Sequence, residues 1–200
     1  MSHVGNTGRP RRVIVSGGIG SGKTTVLAIL ARLGAVVIEA DRIGHEVLAP
    51  EGPAFAAVAQ RWPQVVVGGH IDRGRLAAIV FSDGDELEAL EGISHPLIFS
   101  EIRSRVARAE NRDVALELPV GDGFGDGEWT RIVVIAAEEV RRARAVERGM
   151  EPEDIAGRIA AQRGDPEWIE EADIVIENNG SFADLEARVV AVWEQLAAAS

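Results

Sequence analysis

The residues best equipped for chemistry stand near the start of the chain, in the run Ser16-Gly17-Gly18-Ile19-Gly20-Ser21-Gly22-Lys23-Thr24-Thr25. Gly17, Gly22, Lys23 and Thr24 satisfy the pattern G-x-x-x-x-G-K-[ST]. Glycines at this density let the backbone curl until successive N–H groups face inward and form a nest for phosphate oxygens. Gly18, Ile19, Gly20, Ser21, Gly22, Lys23, Thr24 and Thr25 are therefore the expected nucleotide contacts. The Lys23 ammonium suits the β- and γ-phosphates, and the Thr24 hydroxyl suits Mg²⁺. Of 21 basic residues, Lys23 is the only lysine, so the one compact ammonium falls where phosphate favours it.

Elements must flank that loop to position it. Val13-Ile14-Val15 reads as a buried strand, and Val26, Leu27, Ile29, Leu30 and Leu33 recur at helical spacing. Ala35–Ile38 is a second apolar strand, ending at Glu39-Ala40-Asp41. Strand, helix and strand within so short a span make a βαβ unit, hence a parallel sheet. In such sheets ligands gather at the strands' carboxyl ends, which is where Asp41 falls. A carboxylate there can orient a hydroxyl nucleophile and accept its proton, or hold a magnesium water, or cap a helix.

Residues 42–110 read as a helical block with one candidate strand at Val65–Val67, an inserted region suited to a second substrate. Helical patterns cover Ile43–Leu48, Ala54–Arg61, Arg75–Phe81, Glu86–Glu91 and Leu97–Ala109, with His95-Pro96 shaping a helix start. Strands return at Asp113–Leu118, Arg131–Ile135 and Ala172–Ile176, separated by a Gly- and Asp-rich loop from Pro119 to Thr130 and by helices from Glu138 to Arg148 and Glu153 to Gln162. Ser181 caps a final helix running to about Leu196. Arg141, Arg142, Arg144 and Arg148 crowd one helix, and Arg141, Arg144 and Arg148 share a face that could clamp a transferring phosphate; alternatively the four are solvated and paired with Glu138, Glu139 and Glu147. Arg144 and Arg148 are the favoured pair, and Arg158 and Arg163 fall in the same candidate lid, about 144–170.

Bulk properties narrow the classes. The net charge of −11 disfavours nucleic acid as a partner and requires any phosphate site to be a local positive pocket. The absence of cysteine excludes disulfides and thiol nucleophiles. No apolar run is long enough to span a bilayer, and the polar start lacks a signal peptide's apolar stretch. A disordered tail over 1–11, a single domain over 12–200, no membrane partner and a cytoplasmic location are the expectations. An Asn-Lys-x-Asp base-reading motif is impossible with Lys23 as the sole lysine, which excludes a GTPase-type switch.

Taken together, the motifs resemble the dephospho-coenzyme A kinase family from Val13 to Leu196. The segments that carry the resemblance are the Ser16–Thr25 loop, Val37-Ile38-Glu39-Ala40-Asp41, Ile71-Asp72-Arg73-Gly74-Arg75-Leu76, Val80-Phe81-Ser82-Asp83, Ile93-Ser94-His95-Pro96-Leu97-Ile98, Arg158-Ile159-Ala160-Ala161-Gln162 and Ala172–Ser181. The resemblance implies an α/β, three-layer P-loop kinase fold with a five-stranded parallel sheet, an inserted helical acceptor-binding region and a helical lid. It implies ATP-dependent phosphorylation of the ribose 3′-hydroxyl of dephospho-coenzyme A, with ATP and dephospho-coenzyme A as partners, Mg²⁺ as cofactor, and a monomer or weak oligomer. By this resemblance Asp41 is the base, Lys23 and Arg144 complete the catalytic set, and Arg148 joins Arg144 on ATP. Glu39, Asp41, Asp72, Arg73, His95, Pro96 and Glu117 are the implied acceptor-side residues. The chain departs from the family pattern at Glu39, at Glu117-Leu118-Pro119-Val120-Gly121 and at Asp165-Pro166-Glu167. These departures leave open a nucleotide-binding homologue that acts as a sensor or partner-binding module with little turnover.

Overall fold

The computed structural model describes residues 9–118, 124–125, 129–160, 162 and 164–198. The chain forms two compact units, one made of the residues up to Ile38 together with those from Ala109 onward, the other of Glu39–Arg108.

In the first unit, β1 (Arg12–Ser16), α1 (Lys23–Arg32) and β2 (Val36–Glu39) reproduce the expected strand–loop–helix–strand series, β2 running one residue into the second unit. β5 (Val114–Glu117), β6 (Thr130–Ile135) and β7 (Ile174–Glu177) complete a five-stranded parallel sheet in the order β2-β5-β1-β6-β7. Registers such as Ile14 opposite Leu116 and Val134 opposite Ile176 align apolar residues across the ladders. The chain steps from β1 past β5's place to β2 and later turns to β6 on the other side, so the strand order reverses at β1. That reversal opens a crevice at the carboxyl end of β1, where the glycine loop begins.

Val13, Val15, Ala115, Ile132 and Val134 face Val26, Leu27, Ile29 and Leu30 of α1. Leu185, Val189 and Trp193 of α9 (Phe182–Ala198) join the same core. Each such side chain contributes about 1.5–3 kcal/mol on burial. Ser181 caps α9 as expected, its Oγ accepting from the Asp184 N–H at 3.3 Å while donating to the Asp184 carboxylate at 2.7 Å. Arg11, assigned to a disordered tail by sequence, is instead fixed. Its guanidinium lies 3.9 Å from the Trp193 ring centroid and pairs with Asp113 at 2.6 Å. A cation over a buried indole with a carboxylate behind it outweighs the polar character of the neighbouring residues. Residues 1–8 lie outside the described set, as do 119–123 and 126–128 of the Gly- and Asp-rich loop.

The second unit holds α2 (Ala40–Val47), α3 (Phe55–Arg61), a two-stranded antiparallel hairpin of β3 (Val66–Val67) and β4 (His70–Ile71), α4 (Arg73–Val80) and α5 (Gly84–Arg108). The hairpin replaces the single strand expected over Val65–Val67. The two helices expected on either side of His95-Pro96 are one, and Pro96 lies inside α5. Proline removes one i→i−4 hydrogen bond and normally breaks a helix. Here tertiary packing overrides it, because residues on both sides of Pro96 are buried, with Ser94 8% and Ile102 0% exposed. Charged pairs lock the bundle: Glu86 of α5 accepts from Arg61 Nε of α3 at 3.0 Å and from the buried Trp62 indole N–H at 2.7 Å. Arg105 of α5 donates to Glu101 at 2.9 Å and also pairs with Glu46 of α2.

Candidate active site

Within the first unit the loop between β1 and α1 is a tight curl with positive φ at Gly17 (140°), Gly20 (74°) and Gly22 (107°). Gly22 is the N-cap of α1, and its missing side chain is needed twice over. Its φ excludes other residues, and a Cβ there would collide with the Asn178 Nδ2. Lys23 opens α1, so its ammonium stands at the positive end of the helix dipole. Its Nζ donates to the Gly17 carbonyl at 2.9 Å and the Gly18 carbonyl at 3.2 Å, which folds the side chain back over the loop. Thr24, second in α1, is exposed, and Thr25 is half-buried.

The segment following β7 braces the loop. Asn178, 4% exposed, donates from Nδ2 to the Ser21 carbonyl at 2.8 Å. Arg144, on α6 (Glu138–Glu147), donates to the Asn178 backbone carbonyl at 3.0 Å and to its Oδ1 at 3.2 Å. With a cation facing Oδ1 and a carbonyl facing Nδ2, the network itself fixes the orientation of this amide. Asn179 Oδ1 accepts from the Ala137 N–H at 2.7 Å and so anchors the start of α6. Ser16, at the end of β1, donates to the Leu118 carbonyl at 2.7 Å and ties β1 to the end of β5, where Glu117 is half-buried.

The arginine face of α6 resolves differently from its sequence reading. Arg141, the residue not favoured, is the buried one at 6% exposure. It donates from Nε to the Ile19 carbonyl at 2.9 Å and from Nη2 to Gln162 Oε1 at 3.3 Å. Arg144 is half-buried against Asn178, and Arg148 is exposed just past the end of α6. The expected pairing with glutamate occurs at Arg142, 2.7 Å from Glu138. Of the lid candidates, α7 (Pro152–Ala160) leaves Arg158 exposed, Arg163 lies outside the described residues, and a short helix unforeseen in the sequence, α8 (Asp165–Glu170), follows.

The acceptor-side candidates belong mainly to the second unit. Asp41 is exposed in the first turn of α2, for which Glu39 is the N-cap, so Asp41 is not itself the cap. Asp72 caps α4, accepting from the Arg75 N–H at 3.1 Å, and Arg73 is that helix's exposed first residue. The His95 ring lies tilted against Phe99 within α5, ring centroids 5.7 Å apart, and Pro96 is exposed one residue on. Glu117 belongs to the first unit with the loop, Arg141, Arg144 and Asn178.

Asn178 and Gln162 are the contacts that sequence reasoning gave no role. Both stood inside recognised motifs, but only a polar pair after the last strand and a glutamine at the expected end of a helix marked them.

The family model for dephospho-CoA kinase matches residues 12–184. The dephospho-CoA kinase of Streptomyces avermitilis is 38% identical over 92% of this chain and 93% of its own, and that of Thermobifida fusca 37% identical over 92% and 96%. A solved structure of TT1252 from Thermus thermophilus superposes with a TM-score of 0.83 at 34% identity, covering 94% of this chain and 99% of that one. A dephospho-CoA kinase from Campylobacter jejuni shares the fold at a TM-score of 0.70 and 23% identity, covering 94% and 98%. With a phosphate-binding loop at the sheet's switch point, braced by Arg144 and Asn178, this chain belongs to the dephospho-CoA kinase family of P-loop kinases, whose reaction is the last step of coenzyme A biosynthesis.

Proposed function

We propose that the chain transfers the γ-phosphoryl group of ATP to the ribose 3′-hydroxyl of dephospho-coenzyme A, with Lys23, Asp41 and Arg144 as its catalytic residues. The observation that carries the reading is the braced loop, which presents its sole lysine at the head of α1. Phosphoryl transfer asks the protein chiefly for positioning and charge compensation. The amides of Gly18 to Thr25 cradle the phosphates, and Lys23 exchanges its bonds to the Gly17 and Gly18 carbonyls for phosphate oxygens. Arg144 and Arg148 add charge where the transferring group develops it. The Asp41 carboxylate takes the 3′-hydroxyl proton as the new O–P bond forms. The bond from the γ-phosphorus to the bridging oxygen breaks, and ADP leaves with that electron pair. Glu39, Asp72, Arg73, His95, Pro96 and Glu117 are proposed to hold the acceptor.

The residues fit Mg²⁺ as the nucleotide's own counter-ion. Thr24 offers one exposed hydroxyl, and no group of three His, Cys, Asp or Glu side chains among the described residues forms a metal cage. Mg²⁺ habitually takes few protein ligands and completes its shell with phosphates and water. Once bound, it neutralises charge on the β- and γ-oxygens. A cytoplasmic location, a monomeric or weakly oligomeric state and indifference to nucleic acid and membranes complete the proposal. No helix among the described residues is long and apolar enough to cross a membrane. The test is acceptor-dependent ADP release with dephospho-coenzyme A and Mg-ATP, and ATP binding without such release would refute the reading.

A further inference from the structure

We propose that Arg141 and Gln162 are positioning residues for the triphosphate, gripping the Ile19 segment of the loop from both sides and tying the chain after α7 to it; this rests on the loop binding ATP. Ile19 donates its N–H to Gln162 Oε1 at 2.8 Å, and its carbonyl accepts from Arg141 Nε at 2.9 Å. Gln162 Oε1 also accepts from Arg141 Nη2 at 3.3 Å, so the three groups close a ring. Asp165, at the start of α8, lies 3.5 Å from Arg141 Nη1 and holds the far side of the fork. A guanidinium can serve these partners at once because its donors are planar and fixed; a lysine cannot.

Gly18 supplies an independent observation. Its φ is not in the left-handed region, so backbone conformation does not demand glycine there. What demands it is the guanidinium: a Cβ on Gly18 would stand 2.7 Å from Arg141 Cζ. The usual escape, a swing of the long side chain, is opposed by the bonds to Ile19, Gln162 and Asp165. Part of the loop's glycine pattern therefore accommodates Arg141 rather than phosphate. The same arrangement places a buried positive charge beside the loop, in a chain whose net charge is −11.

The experiment compares steady-state kinetics of full-length wild type with Arg141→Ala, Arg141→Lys, Gln162→Ala, Gly18→Ala and Gly18→Ala/Arg141→Ala. A mislaid loop costs on the order of 10–100-fold. Arg141→Ala and Gln162→Ala are expected to lower kcat/KM for ATP by that factor and leave KM for dephospho-coenzyme A within about threefold. Arg141→Lys is expected to stay impaired, and the double variant to be no worse than Arg141→Ala alone, because the new methyl then has room. Equal loss toward both substrates, restoration by lysine, or full additivity in the double variant would overturn the proposal. If Arg141→Ala does not fold, half-buried Gln162→Ala decides the same question from the other side of Ile19. A wild type that binds no ATP refutes the functional reading instead, and is told apart by that binding measurement.

Discussion

Asn178→Ala tests whether the segment after β7 truly holds the phosphate loop in shape. Asn178 is 4% exposed, donates to the Ser21 carbonyl at 2.8 Å and accepts from Arg144 at 3.2 Å. Alanine leaves the Ser21 carbonyl without that donor in a buried place, which costs about 1–3 kcal/mol. The Arg144 bond to the backbone carbonyl of residue 178 survives, so only the weaker half of that contact is lost, about 0.5–1 kcal/mol. A total of about 1.5–4 kcal/mol lowers Tm by roughly 3–16 °C in a chain of this size. The Ser21 peptide also loses its anchor, and KM for ATP is expected to rise about tenfold. Differential scanning calorimetry reads the first effect, and steady-state kinetics of acceptor-dependent ADP release read the second. A Tm within about 1 °C of wild type, together with an unchanged KM for ATP, would show that Asn178 does not brace the loop.

Lys23→Ala is expected to abolish acceptor-dependent ADP release while leaving Tm near wild type, because the lysine is only half-buried; substantial turnover would remove it from the catalytic set. Asp41→Asn is expected to cut kcat by roughly 10²–10⁴ if it is the general base, and near wild-type turnover would leave it a structural role. Hydrogen bonds from Arg61, and then from Trp62, hold the Glu86 carboxyl below the usual glutamate range. A carboxylate whose folded pKa is depressed contributes stability above its unfolded pKa of about 4.3 and loses it as pH falls through the folded value. Glu86→Gln is therefore expected to melt below wild type at pH 7, with the gap in Tm closing as pH falls below about 4. A gap that stays constant across that window would refute this.

The sequence by itself determined what is local. Strand, loop and helix around Lys23 are encoded within about 20 contiguous residues, where β-branched runs, glycine spacing and helical periodicity act over short range. The parallel sheet followed from the spacing of apolar runs, and the acidic ends of β2 and β5 could be placed from those runs alone. Only the tertiary structure decided what packs on what. Helical spacing put Arg141, Arg144 and Arg148 on one face, but nothing in that spacing says which of them is covered. The loop's own backbone covers Arg141, the segment after β7 holds Arg144, and Arg148 is left in solvent. Pro96 reads as a helix start in isolation and lies mid-helix because burial on both sides outweighs one missing hydrogen bond. Arg11 reads as tail and is fixed because Trp193 and Asp113, remote in sequence, meet it. For the arginines the deciding partner is far along the chain, and in each case the free energy of packing exceeds the local preference it overrides.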